Sequence, residues 1–213
     1  MQLFWSPKSP FVRKVMIVLH ETGQVDDVEL TRMPVQMSEP NPEVLKVNPL
    51  NKIPTLVRPG ATSLFDSRVI CEFFDRRHGE HRFFPEDQED YLRAVTLQAL
   101  GDGLLDLLLV WRNWYLERGL AFDDPADSYT SAFLLKTQTT LDHLETLATE
   151  LEETPFGIGH VSIGIALAHL DFRWSDLQWR HGRTALAAWH AEFSARPSVQ
   201  ATAIVDDTAP TVC

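Results

Sequence analysis

Residues 2–33, QLFWSPKSPFVRKVMIVLHETGQVDDVELTRM, decide the fold. Gln2–Trp5 reads as a buried strand. Pro10–Thr22 reads as a helix, with Ser9 as its N-cap, Pro10 in the first helical position and Gly23 just past the end. The apolar residues Phe11, Val12, Val15, Met16, Val18 and Leu19 cover more than one face of that helix, so it is expected to be deeply packed. An acidic turn at Asp26–Asp27 leads into a second strand, Val28–Met33. Strand, helix and strand joined this tightly form a βαβ unit, which implies a parallel pair with a right-handed crossover.

Working outward, Pro40–Val47 is at most a short helix, fenced by Pro42 and Pro49. Thr55–Arg58 and Ser63–Phe65 flank the turn signal Pro59-Gly60 and read as a hairpin. Val69–Arg77 is a further helix that begins near Asp66–Ser67. The order βαβ, short helix, ββα predicts a small mixed sheet with helices on its faces. A polar bridge follows at residues 78–88, and beyond it no strand pattern is visible. Helices are expected over Tyr91–Arg118, Ala126–Leu151, Ser162–Arg180 and Thr184–Ala195, with an irregular tail from Ser198 to Cys213. The domain expectation is therefore 1–77, a linker at 78–88, and an all-helical domain over 89–213.

The 213 residues are 44% hydrophobic and 23% charged, as in ordinary soluble proteins. A net charge of −11 repels a phosphate backbone, and no basic run makes a local exception, so nucleic acid is not an expected partner. The two cysteines, Cys71 and Cys213, form no CxxC pair and no disulfide framework. The N-terminus lacks the basic start and apolar run of a secretory signal. The richest apolar stretch, Gly103–Trp111, is interrupted by Asp106 and falls short of a membrane span. A cytoplasmic protein without a membrane partner is the expectation. His78 and His81 are the only close histidine pair and lie far from any cysteine, so no metal site is expected.

Three places carry chemistry. Ser9 sits at a helix N-terminus, where free backbone N–H groups and the positive dipole end favour an anion. If that anion is a substrate thiolate, lowering a thiol pKa of ~8.5 by two units requires about 2.7 kcal/mol. One charge-assisted hydrogen bond plus the helix end has that size. Read alone, Ser9 is more simply a cap. Ile53-Pro54 runs into a strand; a cis bond there would turn the Ile53 backbone outward toward a peptide-like ligand, although only about 5–6% of such bonds are cis. At Phe65-Asp66-Ser67 a strand turns into a helix whose first N–H groups and Ser67 hydroxyl could hold a carboxylate, while Asp66 could pair with an ammonium. Ordinary capping by Asp66 is again the plainer reading.

The order of these segments resembles that of the glutathione transferase superfamily over nearly the whole chain. Ser9–Lys14 is similar to the family's activating segment, and residues 48–56, NPLNKIPTL, to its NP-x-x-K-[VI]-P-x-L stretch. Asp66-Ser67 stands where the family has its acidic–serine pair. Leu170–Trp174 and Arg196–Thr202 resemble motifs of the helical domain. The resemblance implies a thioredoxin-like glutathione-binding domain followed by an all-helical bundle domain, glutathione as co-substrate without a metal, and a homodimer. Ser9 would hydrogen-bond the glutathione thiolate, and Pro54 would be the cis-proline. The Ile53 backbone would pair with the cysteinyl part, Asp66 and Ser67 would hold the γ-glutamyl end, and Lys52 would neutralise a ligand carboxylate. A second, small apolar electrophile would lie between the domains. Trp111, Trp114 and Tyr115, near the end of the first long helix of the second domain, could line its pocket, with plain packing as the alternative reading.

Two departures stand out. Relatives with cysteine at the Ser9 position exchange thiols through a mixed disulfide, which serine cannot form, so detoxifying conjugation or another glutathione-thiolate reaction, such as an isomerisation or dehalogenation, is implied in place of disulfide reduction. The family's Ser/Thr-x-x-Asp capping box is also broken, with Ile165 three residues after Ser162; that loss is worth about 1 kcal/mol. The rival reading is a non-catalytic member of the same fold that serves as a ligand-binding or protein-interaction module.

Overall fold

The computed structural model describes residues 1–36, 39–80 and 83–206. It divides into two compact units: Met1–Tyr91 with the stretch from Arg196 onward, and Leu92–Ala195.

In the first unit β1 (Gln2–Trp5) lies between β2 (Glu29–Arg32) and β3 (Thr55–Val57). β1 and β2 are parallel, with Leu3 opposite Leu30, and β1 and β3 are antiparallel, with Leu3 opposite Leu56. The parallel pair is joined by α1 (Pro10–Glu21), as the βαβ pattern required. Ser9 is its N-cap and accepts from the Val12 N–H, Pro10 opens the helix, and Gly23 adopts φ 65° beyond the Thr22 C-cap. Nine of the twelve α1 residues are buried, including Lys14, because its apolar positions are not confined to one stripe. α2 (Pro42–Leu45) is a single turn, and α3 (Ser67–His78) packs on α1.

The expected strand at Ser63–Phe65 is reduced to one bridge, Leu64 against Leu56. The Thr62 carbonyl is taken by Nε and Nη2 of Arg58 instead of by a ladder partner, which stops the hairpin from extending. The bridge after α3 is tethered. Asp75 is fully buried and accepts the Phe83 and Phe84 N–H groups, both at 3.0 Å, and those two rings are buried.

The second unit is built from α4 (Gln88–Arg118, whose first four residues lie in the first unit), α5 (Ser128–Glu153), α6 (Ile158–Arg173) and α7 (Thr184–Ala195). α4 is, among the described residues, the one helix with the length and composition of a membrane span. Its Leu97, Leu104, Leu105, Leu108 and Trp111 are instead buried in the protein. Glycines let these helices approach closely: a Cβ on Gly101 would stand 2.5 Å from the Ser162 carbonyl carbon, and one on Gly164 would stand 2.4 Å from the Phe193 ring.

α6 corrects two expectations. It starts at Ile158, so Ser162 is not a cap but a fully buried interior residue whose hydroxyl has no partner among the described residues. The cap is supplied by His160, whose Nδ1 accepts the Gly157 N–H at 3.1 Å. That leaves the proton on Nε2, which donates to the Leu151 carbonyl at 3.0 Å. The helix also stops at Arg173 instead of Arg180; a 3₁₀ turn, Ser175–Leu177, follows, and Gln178 enters the left-handed region at φ 43°.

The stretch after α7 was expected to be irregular and to belong with the helical domain. It forms a short helix, α8 (Pro197–Ala201), and returns to α1 of the first unit. Arg196 and Ser198 both bond the Glu21 carboxylate, at distances from 2.6 to 3.2 Å. Cys213 and His81 lie outside the described residues. Cys71 is buried and forms no disulfide among the described residues.

Candidate functional site

Strand register collects the three N-terminal segments at one end of the sheet. Phe4 faces Thr55 across the antiparallel pair, so one step further Trp5 falls opposite Pro54. Leu64 faces Leu56, and two steps along that register Asp66 falls opposite Pro54 from the other side. Pro54 is thus flanked by the turn that leads to Ser9 and by the start of α3. The N-termini of α1 and α3, each twelve residues long, open at this same end and present their positive dipole ends there.

The Ile53–Pro54 bond is cis, against the frequency expectation and as the resemblance implied, and Phe65–Asp66 is also cis. Both the Ile53 and Pro54 side chains are buried. Among the described residues the Ile53 N–H and C=O make no hydrogen bond. A backbone donor and acceptor left open in an otherwise paired region form an edge for an extended ligand.

The loop that carries this edge is held by Asn48, a residue whose role sequence reasoning missed. It is fully buried; its Nδ2 donates to the Lys52 carbonyl (3.1 Å) and the Thr55 hydroxyl (2.9 Å), and its Oδ1 accepts the Leu50 N–H (3.0 Å). The last contact is an Asx turn, and the Asn48-Pro49 dipeptide was its available signal. Asn51 takes φ 52°, a conformation asparagine tolerates better than most residues. Lys52 contributes only its carbonyl to the frame, while its exposed side chain has no partner among the described residues.

Ser9 is half-buried with φ −78° and ψ 117°. Its Oγ accepts the Val12 N–H at 3.3 Å, which leaves the hydroxyl proton to donate elsewhere. Asp66 caps α3 by accepting the Arg68 N–H at 2.9 Å, so the simple capping reading holds for both residues, while among the described residues one donor or acceptor position stays open at each. Ser67 is the first residue of α3, is buried, and its hydroxyl makes no hydrogen bond among the described residues.

The three aromatic residues named for a second pocket are not alike. Trp111 is corrected from pocket wall to core. It is fully buried, stacked 4.2 Å from Trp174 and 6.1 Å from Phe133, so no ring face is left for a ligand. Trp114 stacks on Tyr129 at 4.2 Å, donates to Asp127 Oδ2 at 3.0 Å and carries the Arg118 guanidinium 3.4 Å above its ring. Tyr115 meets Trp174 edge-on at 5.5 Å and remains half-buried. Among the described residues no group of three or more His, Cys, Asp or Glu could hold a metal.

Comparison with known proteins agrees with this geometry. The sequence profile of the glutathione S-transferase N-terminal domain matches residues 8–77. An uncharacterised GST-like protein of Escherichia coli K12, YibF, is 30% identical over 179 residues, which cover 81% of this chain and 83% of the relative. A glutathione transferase family member from Pseudomonas fluorescens Pf-5, solved with bound glutathione, superposes with a TM-score of 0.88 at 37% identity, covering 96% of this chain and 99% of the other. A glutathione S-transferase from Methylobacillus flagellatus KT, also with glutathione bound, gives 0.80 at 27% identity over 96% and 99%. The chain belongs to the glutathione S-transferase superfamily. Its fold is that of the family, a thioredoxin-like domain that includes residues 8–77 followed by a helical domain.

Proposed function

We propose that the protein is a cytoplasmic glutathione S-transferase that lowers the pKa of the glutathione thiol through Ser9 and directs the thiolate at a small electrophile. The observation that carries this reading is the unpaired Ile53 backbone beside Pro54, flanked by the helix N-termini that Ser9 and Asp66 cap. Glutathione is a peptide with a carboxylate and an ammonium at its γ-glutamyl end. Its cysteinyl backbone would pair with Ile53, and its γ-glutamyl carboxylate would take the Ser67 hydroxyl and the first N–H groups of α3. Its ammonium would take the second oxygen of Asp66, and Lys52 would neutralise a ligand carboxylate.

With the thiol beside Ser9, the Ser9 hydroxyl donates to the sulfur. The Val12 N–H already bonded to Oγ polarises that O–H, and the dipole of α1 adds to the stabilisation of the thiolate. The thiol proton leaves to solvent. The sulfur lone pair then forms a C–S bond with the electrophile, which releases its leaving group or takes up a proton. Activation and positioning are sufficient for this chemistry. The Pseudomonas fluorescens relative has also been solved with S-(propanoic acid)-glutathione, a molecule whose sulfur bears a carbon substituent, the bond type that conjugation makes. Tyr115 is the one member of the aromatic trio whose ring remains open enough to meet an electrophile. A detoxifying homodimer is part of this reading, and light scattering checks it against a protomer of 24.2 kDa.

Calorimetric titration with reduced glutathione tests the binding half of the proposal. Saturable binding near one site per subunit supports it, and no binding up to millimolar concentration turns the reading to the non-catalytic module. Ser9→Ala tests the chemical half. Glutathione affinity is expected to persist while the bound thiol's pKa rises by about one unit or more, and an unchanged pKa removes Ser9 from the mechanism.

A further inference from the structure

The C-terminal segment runs along α1 and, at Val205, meets the turn that presents Ser9. It is anchored first at the far end of that helix, where Arg196 and Ser198 hold Glu21, the last α1 residue. Midway, the buried Arg13 donates from Nη2 to the Val199 carbonyl at 3.1 Å. Thr202 then donates to the Ser198 and Val199 carbonyls, which ends α8, and the chain continues until the Val205 N–H reaches the Pro7 carbonyl at 3.3 Å. The contacts of this strap are spread along the length of α1, about 18 Å for twelve residues.

The Val205 contact, the last of the segment among the described residues, falls on a particular atom. Ser6–Ser9 is a β-turn closed by the Ser9 N–H on the Ser6 carbonyl at 3.2 Å, with Pro7 and Lys8 at its centre. The Pro7 carbonyl belongs to the central peptide of that turn. The two common turn types differ by a flip of this peptide, and the alternative needs a positive φ at the third residue, here Lys8. Lys8 is not among the residues with positive φ. A donor from outside, bonded to the Pro7 carbonyl, holds the central peptide in its present sense and fixes the direction in which the turn delivers Ser9.

We propose that Val205, held by the Arg196–Glu21 and Arg13–Val199 anchors, is a positioning residue for thiol activation that acts through the Pro7 carbonyl and the Ser6–Ser9 turn. This rests on the reading that Ser9 activates glutathione. Val205 is 57% exposed, so its replacement disturbs little packing.

The test compares Val205→Pro, which removes the N–H, with Val205→Ala, which keeps it. Thiolate absorbance of bound glutathione is titrated with pH, and amide hydrogen exchange at Ser9 and Val12 is followed alongside. Val205→Pro is expected to raise the bound thiol's pKa by about half a unit, a threefold loss of thiolate at a fixed pH below it, and to speed exchange at both amides. Val205→Ala is expected to match the parent. Glu21→Ala, which loosens the strap from its other end, is expected to shift the pKa in the same direction. A Val205→Pro variant with the parent's thiol pKa overturns the proposal, even if its melting temperature falls, because that pattern marks a tether without influence on Ser9. If the parent itself leaves the bound thiol at its ordinary pKa, the activation reading has failed. Exchange at Ser9 and Val12 then still reports whether the strap holds the turn, and unchanged exchange rejects that as well.

Discussion

Gly101 and Gly103 lie two residues apart on α4 and are expected to respond to alanine in opposite directions. A Cβ at Gly101 would stand 2.5 Å from the Ser162 carbonyl carbon, 2.6 Å from the Ile163 nitrogen and 2.7 Å from the Ser162 oxygen. All three are backbone atoms of α6, so no side chain can rotate away and the two helices must separate by nearly an ångström. Overpacking of this kind costs about 3 kcal/mol, against a gain of about 1 kcal/mol from replacing glycine by alanine inside a helix. The net expectation for Gly101→Ala is a loss of about 2 kcal/mol, or about 4–8 °C in melting temperature for a protein of this size. A Cβ at Gly103 meets nothing within 4 Å, so Gly103→Ala keeps only the favourable term and should gain up to about 1 kcal/mol. Thermal melts of the two variants and the parent, followed by far-UV circular dichroism, decide the matter. A Gly101→Ala protein as stable as its parent would refute the close α4–α6 approach.

Further expectations concern charge and the candidate site. His169 is neutral in the folded protein: burial, then the nearby Arg173 and Arg112, lower its pKa from 6.5 to about 4. The unfolded chain therefore binds the extra proton between those values, so stability is expected to fall by about 3 kcal/mol as pH drops from 6.5 to 4. His169→Leu should flatten that part of the curve in acid-titrated urea melts, and an unchanged slope would assign the loss to other groups. Asn48→Ala deletes three hydrogen bonds in a buried loop and is expected to cost about 2–4 kcal/mol and to abolish glutathione binding, read by melting and calorimetry. Ser67→Ala is expected to weaken glutathione binding severalfold without moving the bound thiol's pKa. Normal affinity in that variant would remove Ser67 from the γ-glutamyl contact.

The first unit was more legible in the sequence than the second because its signals are local. Ser9, Pro10 and Gly23 bracket α1 by rules that act within a single turn of chain, and the helix forms where they put it. The βαβ pattern then fixed the topology, and the topology brought Pro54 between Trp5 and Asp66. Resemblance, not spacing, pointed to the cis bond at Pro54. The bounds of α6 were misread because Ser162 resembles a cap, whereas a histidine and a glycine further upstream do that work through a contact with the end of α5. Trp111 and Trp114 share a helical spacing that says nothing about which rings arrive from α5 and α6 to cover them. The return of the tail to α1 joins residues 186 and 175 positions apart, as in Arg13–Val199 and Glu21–Arg196, a separation at which local pattern carries no information.

Asn48 grips Lys52 by the main-chain carbonyl alone, and so separates the loop's architecture from the chemistry displayed at its rim. Any side chain that tolerates this backbone can occupy position 52 while Asn48, Thr55 and Leu50 keep the Ile53 edge where it is. The position behaves as an exchangeable socket on a fixed frame. Charge, length or hydrogen-bonding capacity can be changed there by a single codon without redesigning the fold beneath it.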